Sequence, residues 1–434
     1  MIATESFTSR YDRRTLIKRL AAAGFAAPVI ASIVADGAWA QDAATPVSDT
    51  ATAVPTAVPT VAPTTAPAAA TAVGMPELAS PFTIIPPSDD PTKSLASVGV
   101  DQPLIAHGGF NFGTPPDLVT GFDVDNGAFF IRSHGPSAQL DDPSKYTLSV
   151  GGYVDTPLQL TLDDLRGMPM QTYQSFLECS GNGRGFFNPV AKGGQWRNDA
   201  IGNAEWTGVP LHVVLDKAGV KDGAIDVVSQ GGDFKEMQRG LPIDVAMDAS
   251  TMLVLQMNGE ELPAPHGGPV RLFVPGWGGI ASTKWIIGLT VLDTTFQGDF
   301  NVGNYIVISA QNETIRPVRE MPVSSAIWTP AFDAQVKAGQ VPITGYAWSG
   351  LGAIAKVEVS TDNGVTWNDA TITKSSGEHS WASFEYAWDA KPGPTGLLTR
   401  ATDDRATSQP GVAQWNQLGY QYNAVQRVMI DVSA

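Results

Sequence analysis

The stretch Ser175-Phe-Leu-Glu-Cys-Ser-Gly-Asn-Gly-Arg184 contains Cys179, the only cysteine among 434 residues. Cys179 follows a strand-like apolar run and leads into a Gly-Asn-Gly turn. A lone cysteine cannot form an internal disulfide, so it is a buried packing residue, an exposed thiol or a ligand. A strand end that runs into a glycine turn is where chains present reactive atoms, and this position argues against simple packing.

The composition indicates a soluble globular chain of two domains with additional segments, since 434 residues exceed one ordinary core and 43% of them are apolar. The net charge is -16, from 27 basic and 43 acidic residues. This balance argues against nucleic acid or an anionic membrane as partner. An acidic protein that binds an anion needs a locally basic pocket, so arginines near Cys179 carry particular weight.

The first forty residues have the pattern of a twin-arginine signal peptide. Arg13-Arg14-Thr-Leu-Ile-Lys18 precedes an apolar run over residues 20–34, and Ala38-Trp-Ala40 provides a small-x-small cleavage signal. The pattern predicts export by the twin-arginine route to the periplasm or the outer face of the cytoplasmic membrane. After removal of the signal no permanent membrane span is expected; retention of the run as an anchor is the less favoured alternative.

Residues 41–80 consist mainly of Ala, Thr, Pro and Val, and residues 51–72 contain no charged or aromatic residue. Such a segment cannot bury enough apolar surface to offset its chain entropy. We therefore predict a disordered linker over residues 41–80.

Residues 81–300 combine strand and helix patterns without a regular βαβ spacing, which predicts an α+β domain. Strands are expected over residues 146–154, 224–229, 251–257, 269–274 and 285–292. Thr161 is a hydroxyl N-cap for one short helix, and a second helix is expected from Thr207 through Lys217, ending at Gly219. Asn258-Gly259 predicts a hairpin turn.

Residues 301–434 show alternating strands and no convincing helix. The strands are expected over residues 342–348, 354–360, 380–388, 397–402 and 425–432. Short strands with frequent turns over roughly 120 residues predict an Ig-like all-β sandwich.

Two histidines accompany arginines on glycine-bearing turns. His134 follows Arg132, and His266 precedes Arg271. Such Arg and His pairs suit a phosphate or another bound anion. No histidine repeat or acidic ligand cluster in the sequence indicates zinc, calcium or magnesium.

These motifs together resemble the sulfite oxidase family of molybdopterin enzymes. The resemblance covers about residues 129–292 and continues through the C-terminal β-domain, which looks like the family's dimerisation domain. The motifs are Phe-Ile-Arg-Ser-His (130–134), Leu-Glu-Cys-Ser-Gly-Asn-Gly-Arg (177–184), Glu-Trp-Thr-Gly-Val-Pro-Leu (205–211), Met-Asn-Gly-x-x-Leu-Pro-x-x-His-Gly-x-Pro-Val-Arg (257–271), Val-Pro-Gly (274–276) and Lys-Trp-Ile (284–286).

The resemblance implies a molybdenum-molybdopterin cofactor with Cys179 as the thiolate ligand of the metal. It implies cofactor contacts from twelve residues: Phe130, Ile131, Arg132, Ser133, His134, Cys179, Asp233, His266, Arg271, Ser282, Thr283 and Lys284. Arg184 resembles the family's oxyanion-binding arginine, with Arg132 opposite and Trp196 closing the pocket. Guanidinium groups bind small oxyanions through paired, charge-assisted hydrogen bonds.

Two positions depart from the family pattern. The tyrosine that commonly borders the family's substrate pocket has no clean match here. Phe300 is nearest in sequence, and Tyr305 is the catalytic candidate that could substitute for it. Leu418 stands where animal sulfite oxidases have arginine, so the pocket has one positive charge fewer.

The implied function is oxidation of sulfite to sulfate, with electrons passed to an external acceptor such as a c-type cytochrome. The sequence contains neither a Cys-x-x-Cys-His nor a His-Pro-Gly-Gly haem signature, so no haem is expected in this chain. The β-domain predicts a homodimer. The alternatives are a reductase of the same fold acting on sulfoxide or nitrate, and a cofactor-free binding module.

Overall fold

The computed structural model describes residues 78–434. The predicted signal peptide and all but the last three residues of the predicted linker lie outside the described residues. The described residues all belong to one unit, Gly74–Ala434. Across this described part of the chain, none of the helices has the length and apolar character needed to cross a membrane.

The region up to residue 300 forms mixed sheets joined by short helices. Its strands are β1 (Thr83–Ile85), β2 (Ile105–Ala106), β3 (Asn111–Gly113), β4 (Ile131–Arg132), β5 (Ser137–Gln139), β6 (Leu148–Gly152), β7 (Leu158–Leu160), β8 (Gln171–Glu178), β9 (Ile201–Pro210), β10 (Asp226–Gly231), β11 (Gln238–Pro242), β12 (Met252–Met257), β13 (Glu260–Glu261), β14 (Arg271–Phe273) and β15 (Ile286–Leu292). Its helices are α1 (Pro91–Ser97), α2 (Leu162–Arg166), α3 (Leu211–Ala218) and α4 (Ile243–Ala246), with α5 (Asp299–Val302) at its end. This alternation is the predicted α+β class.

Two five-stranded sheets form most of this region. One has the order β11-β10-β15-β6-β7, with β6 and β15 parallel; the other has the order β13-β12-β9-β8, with β14 also paired to β12. A small sheet β2-β3-β4 and the pair β1-β5 complete the region. Cys179 directly follows β8, so the second sheet positions the cysteine turn.

Local chemistry explains the helix boundaries. Thr161 caps α2 in a capping box with Asp164, as its hydroxyl predicted, and α3 ends at Gly219, whose φ is 68°. The prediction that a helix begins at Thr207 was wrong, because Thr207–Pro210 is the last part of β9 and pairs with β12. Ladder hydrogen bonds to β12 hold these residues extended until Pro210.

The Asn258-Gly259 turn joins β12 to β13. Both residues have positive φ, 53° and 77°, as a two-residue type I′ hairpin requires. The predicted turn is therefore confirmed.

The C-terminal region contains strands and no α-helix beyond α5. Its strands are β16 (Ile306–Ile308), β17 (Thr314–Pro317), β18 (Ser324–Thr329), β19 (Gln335–Lys337), β20 (Gly339–Trp348), β21 (Ile354–Ser360), β22 (Asn368–Asp369), β23 (Thr371–Ser375), β24 (Ala382–Ala390), β25 (Gly393–Asp403) and β26 (Arg427–Ser433). Sheets β18-β20-β24-β23 and β19-β26-β25-β21-β22 contribute to one apolar core, with Ile343 and Phe384 from the first and Val357 and Leu397 from the second. The region is thus a β-sandwich, and its Ig-like subclass stays a prediction.

The sandwich and the preceding region share a second core cluster. Trp348 and Trp381 from the sandwich pack in one cluster with Phe176, Cys179 and Trp206. The indole of Trp381 donates to the carbonyl oxygen of Phe122 at 2.7 Å. The cysteine turn therefore lies against the sandwich.

Candidate functional site

An open cavity lies beside Cys179, and its empty space is about 730 Å³ when the solvent at its mouth is included. It brings together side chains from segments that are distant in sequence. Of the predicted site residues, those that line it are Phe130, Arg132, Ser133, His134, Cys179, Asp233, His266, Arg271, Ser282, Thr283, Lys284 and Tyr305. The predicted residues outside its lining are Ile131, Arg184 and Trp196.

Strand alternation explains the position of Ile131. Successive side chains of a strand point to opposite faces, so Phe130 and Arg132 face the cavity while Ile131 packs in the core with Phe110 and Phe112. A contact between the cofactor and the Ile131 side chain is not expected from this arrangement.

The cysteine turn is held by backbone hydrogen bonds on both sides of Cys179. Its amide donates to the carbonyl oxygen of Ala200 at 2.9 Å, and its carbonyl accepts from the amide of Asn182 at 2.8 Å. The amide of Gly181 lies 3.4 Å from the Cys179 sulfur. These contacts fix the thiol at the cavity wall, where it is 7% exposed.

Glu178 is a buried acid beside the cysteine that the sequence analysis missed. Its carboxylate oxygens accept from the Asn182 amide and from the Trp348 indole, each at 2.9 Å. Burial raises the pKa of Glu178 to about 8, against the opposing effect of these two donors. The sequence signal for it is an acid placed directly after the apolar pair Phe176-Leu177. Glu178 therefore ties the cysteine turn to the sandwich.

Two buried cations lie at another part of the cavity. Lys284 donates from Nζ to the hydroxyl of Ser133 at 2.7 Å and to the carbonyl oxygen of Pro265 at 3.0 Å. Arg271 donates to the carbonyl oxygens of His266 and Ser282 at 2.8 and 2.9 Å. Burial lowers the pKa of Arg271 to about 9 and the pKa of Lys284 well below its ordinary value.

Asp233 is the carboxylate among the cavity-lining residues. Burial raises its pKa to about 6, although the nearby Lys284 ammonium acts to lower it. Three basic side chains, Arg132, Arg271 and Lys284, line the cavity together with this one carboxylate. Such an excess of buried basic groups favours an anion in the cavity.

Unsatisfied polar atoms support the same conclusion. Asp233 Oδ1, Arg271 Nε and the Ser180 hydroxyl are buried and have no hydrogen-bond partner among the described residues. Buried polar groups normally have partners, so these atoms are open to a ligand. The cavity-lining groups match three kinds of partner. They suit an anionic phosphate, a heterocycle with donors and acceptors, and a metal that binds a thiolate. The residues thus fit a molybdenum-pterin cofactor.

His134 is neutral at neutral pH and links two other side chains. Burial and the adjacent Arg132 guanidinium lower its pKa to about 4. Its Nδ1 lies 3.0 Å from Arg132 Nη2 and 3.2 Å from the Tyr305 hydroxyl, so the neutral ring accepts at this nitrogen. Arg132 is further held by the Asn111 side-chain oxygen at 3.1 Å.

Tyr305, and not Phe300, lines the cavity. The Phe300 ring packs edge-on against His134 at 4.6 Å, whereas Tyr305 brings its hydroxyl to the cavity and stacks on Tyr420 at 5.0 Å. Tyr420 was not among the predicted site residues, and its place near the C-terminus gives no sequence signal that it meets Tyr305.

Arg184 and Trp196 lie one layer behind the cavity wall. Arg184 donates to the carbonyl oxygens of Leu418 and Gly194 at 2.9 and 3.1 Å, and its guanidinium lies 5.0 Å from the Tyr420 ring centre. Trp196 is 2% exposed and packs on His107 at 4.2 Å. Arg184 contacts Tyr420, which stacks on the cavity-lining Tyr305, so Arg184 does not contact the cavity directly.

His266 is buried in its neutral form, and we therefore predict that the folded state loses stability in acid. Burial lowers its pKa to about 3, although Nε2 lies 2.7 Å from the carbonyl oxygen of Asn126. The unfolded chain takes up a proton near pH 6.5 that the folded chain does not, so stability is lost as pH falls from 6.5 toward 3. The loss from this one group is about 2 kcal/mol at pH 5.

We therefore expect His266→Gln to reduce the difference between the free energies of unfolding at pH 7.5 and pH 5. Urea titrations at both pH values measure it. The half-buried His212→Gln on α3 is the control and should keep the wild-type difference. An unchanged difference in His266→Gln would contradict the assignment.

Comparisons with known proteins agree with this donor set. Residues 134–300 match the family described as "Oxidoreductase molybdopterin binding domain", and residues 315–433 match the "Mo-co oxidoreductase dimerisation domain". The mitochondrial sulfite oxidase of Mus musculus is 34% identical over 80% of this chain and 68% of its own length. The sulfite oxidase of Arabidopsis thaliana is 31% identical over 72% of this chain and 89% of its own.

One solved structure is also similar. The sulfane dehydrogenase SoxCD from Paracoccus pantotrophus superposes with a TM-score of 0.69 at 29% identity, covering 77% of this chain and 89% of that chain.

Proposed function

Because this chain belongs to the sulfite oxidase family of molybdenum oxidoreductases, we propose that its substrate is sulfite, which it oxidises to sulfate. The reaction takes up one water and releases two protons and two electrons. The observation that carries the proposal is a cavity in which Cys179, Arg132 and Tyr305 meet in an excess of positive charge. A small oxyanion matches both the charge and the hydrogen-bond donors of this place.

The cofactor part of the cavity is assigned to the buried cations and polar side chains. Cys179 would hold the metal, while Arg271 and Lys284 would face the phosphate and Asp233 would face the pterin. When bound, the molybdenum cofactor supplies the two-electron oxidant and the oxygen that is transferred to sulfur. The chain's own contribution is orientation and charge.

The substrate part is assigned to Arg132, Tyr305 and Arg184. Arg132 keeps its charge, because its guanidinium pKa is raised by nearby Tyr305, Cys179 and Tyr420 despite burial. Neutral His134 accepts from this guanidinium and so orients it without adding a competing charge. Arg184 adds a second cation behind Tyr420.

The predicted signal peptide and the dimerisation match support a proposal for the cellular context. The twin-arginine pattern of residues 1–40 supports export to the periplasm or the outer face of the cytoplasmic membrane. The sequence carries neither haem signature, and we propose an external c-type cytochrome as the electron acceptor. The match of residues 315–433 supports a homodimer.

Arg184→Met is expected to raise the KM for sulfite about thirtyfold, which corresponds to about 2 kcal/mol of lost anion stabilisation. Molybdenum content should stay near the wild-type value, because Arg184 lies outside the cavity lining. Steady-state kinetics and metal analysis measure the two effects.

Arg197→Met is the matched control. Arg197 is exposed and lies 5.8 Å from the Phe186 ring of the same turn, so its loss should leave the KM unchanged. An Arg184→Met enzyme with the wild-type KM would remove Arg184 from the substrate site.

The reaction itself is tested with purified, molybdenum-loaded protein. Sulfite with cytochrome c is compared with methionine sulfoxide and with nitrate, each with a reduced dye. Sulfite turnover is expected to exceed the two reductions by far. Turnover of only sulfoxide or nitrate would replace the proposal, and protein that binds no molybdenum would support the binding-module alternative.

A further inference from the structure

The cavity wall behind Tyr305 is an apolar cluster that borders a buried arginine. The cluster consists of Met237, Phe300, Tyr305, Val307, Val318 and Tyr420, with Leu418 packed against it. Arg239, on β11, reaches this cluster and is 2% exposed. Arg239 lies between the motifs at residues 205–211 and 257–271 and belongs to neither.

Arg239 has carbonyl partners in place of a counter-ion. Nη1 donates to the carbonyl oxygen of Phe300, and Nη2 donates to that of Val318 at 2.9 Å. Its Nε is buried without a partner in the described part of the chain. Burial lowers the pKa of Arg239 to about 10, so the group stays charged at neutral pH.

Other arginines of residues 78–434 do form ion pairs with carboxylates. Arg400 pairs with Glu358 at 2.8 Å and Arg405 pairs with Glu378 at 3.1 Å, whereas no carboxylate of these residues forms such a pair with Arg239. A buried cation costs free energy unless it is paired with an anion and its donors are hydrogen-bonded.

The two carbonyl partners lie on both sides of Tyr305 along the chain. The amide of Val318 donates to the carbonyl oxygen of Tyr305 at 2.7 Å, and β16 and β17 pair immediately beyond. Tyr305 itself has a φ of 55°, which is unfavourable for a residue with a large side chain. Arg239 therefore binds both ends of the segment 300–318, which places Tyr305 at the cavity.

The charge of Arg239 also acts on the aromatic stack. Burial raises the pKa of Tyr305, while the cations Arg132, Arg184 and Arg239 all act to lower it. Because Arg239 is buried beside an apolar cluster, water screens its charge only weakly. Arg184 and Arg239 thus place two cations around the Tyr305-Tyr420 pair.

We infer that Arg239 is a positioning and specificity-determining residue for oxyanions, which holds Tyr305 at the cavity and adds positive charge from behind the wall. The kinetic part of this inference rests on the proposed function. Its anion-affinity part does not, since sulfate can be titrated as a non-reacting oxyanion.

The test uses molybdenum-loaded wild type, Arg239→Met and Arg239→Lys. In Arg239→Met the KM for sulfite and the Kd for sulfate are expected to rise about tenfold, with molybdenum content unchanged. Arg239→Lys keeps the charge and should recover part of both losses. Arg400→Met, on β25 of the sandwich, is the control and should match the wild type in all three measurements.

A second variant tests the charge without removing Arg239. Leu418→Arg adds a cation to the same wall and is expected to lower the Kd for sulfate several-fold, and to offset the loss when combined with Arg239→Met. If Arg239→Met does not fold, Arg239→Lys decides: its single ammonium replaces the fork that binds the Phe300 and Val318 carbonyl oxygens, so the KM for sulfite and the Kd for sulfate should both rise.

Wild-type Kd and KM in loaded Arg239→Met would overturn the inference, as would a double variant of Arg239→Met with Leu418→Arg that recovers none of the lost sulfate affinity. Failure of the proposed function looks different: the wild type would then not oxidise sulfite, while the sulfate titrations would still report on Arg239.

Discussion

Cys179→Ser is expected to abolish sulfite oxidation, with kcat lower by on the order of a thousandfold or more. A thiolate is a soft, strongly donating ligand, and a serine hydroxyl at neutral pH is neither soft nor ionised. The backbone hydrogen bonds of the turn do not involve the sulfur, except for the Gly181 amide at 3.4 Å. The fold should therefore persist while the metal site is lost.

Three measurements separate these effects: sulfite turnover, molybdenum content and the thermal midpoint. Met257→Leu is the matched control, because Met257 is a fully buried sulfur residue in the same core cluster but does not line the cavity. The control should keep its activity and its molybdenum. Full turnover by Cys179→Ser would exclude Cys179 as the metal ligand.

Lys284→Met is expected to reduce molybdenum and pterin content at least about tenfold. The Lys284 ammonium is buried, and Asp233 is the carboxylate that faces it in the cavity, so a bound anion would complete its surroundings. Methionine has a similar length and no charge. The cofactor then loses a basic partner, whereas the cofactor-free protein loses a lysine whose charged form is disfavoured by burial.

The substitution should affect cofactor binding and stability differently. Cofactor content should fall, while the thermal midpoint of the cofactor-free protein should not. Lys145→Met is the control, since Lys145 is exposed and forms only a surface pair with Asp142. Wild-type cofactor content in Lys284→Met would contradict the assignment, and a collapsed thermal midpoint would indicate a structural role instead.

Much of the cofactor site follows from short sequence motifs. Residues 130–134, 177–184 and 257–271 each carry their own glycine turns and polar side chains, so their chemistry can be interpreted without knowledge of the fold. The strand patterns of the sandwich and the caps at Thr161 and Gly219 are equally local. The cap at Thr161, the stop at Gly219 and the turn at Asn258-Gly259 depend on neighbours within a few residues, which is why these three predictions were confirmed.

Other features depend on contacts that the sequence does not display. The helix expected at Thr207 begins only after Pro210, because β12 competes for that backbone. The choice between Phe300 and Tyr305 depends on a positive φ and on stacking with Tyr420, more than a hundred residues away. No local pattern encodes either contact.

The sequence alone thus determined the residue types that suit a metal and an anion: one cysteine, paired arginines and histidines, and a lysine. Only the tertiary structure decided how they are arranged. It turned Ile131 away from the cavity, placed Arg184 behind Tyr420, and joined Glu178 to Trp348 and Arg239 to the Tyr305 segment. The physical reason is that side-chain identity is carried by each position, whereas burial and direction arise from strand pairing and packing between distant segments.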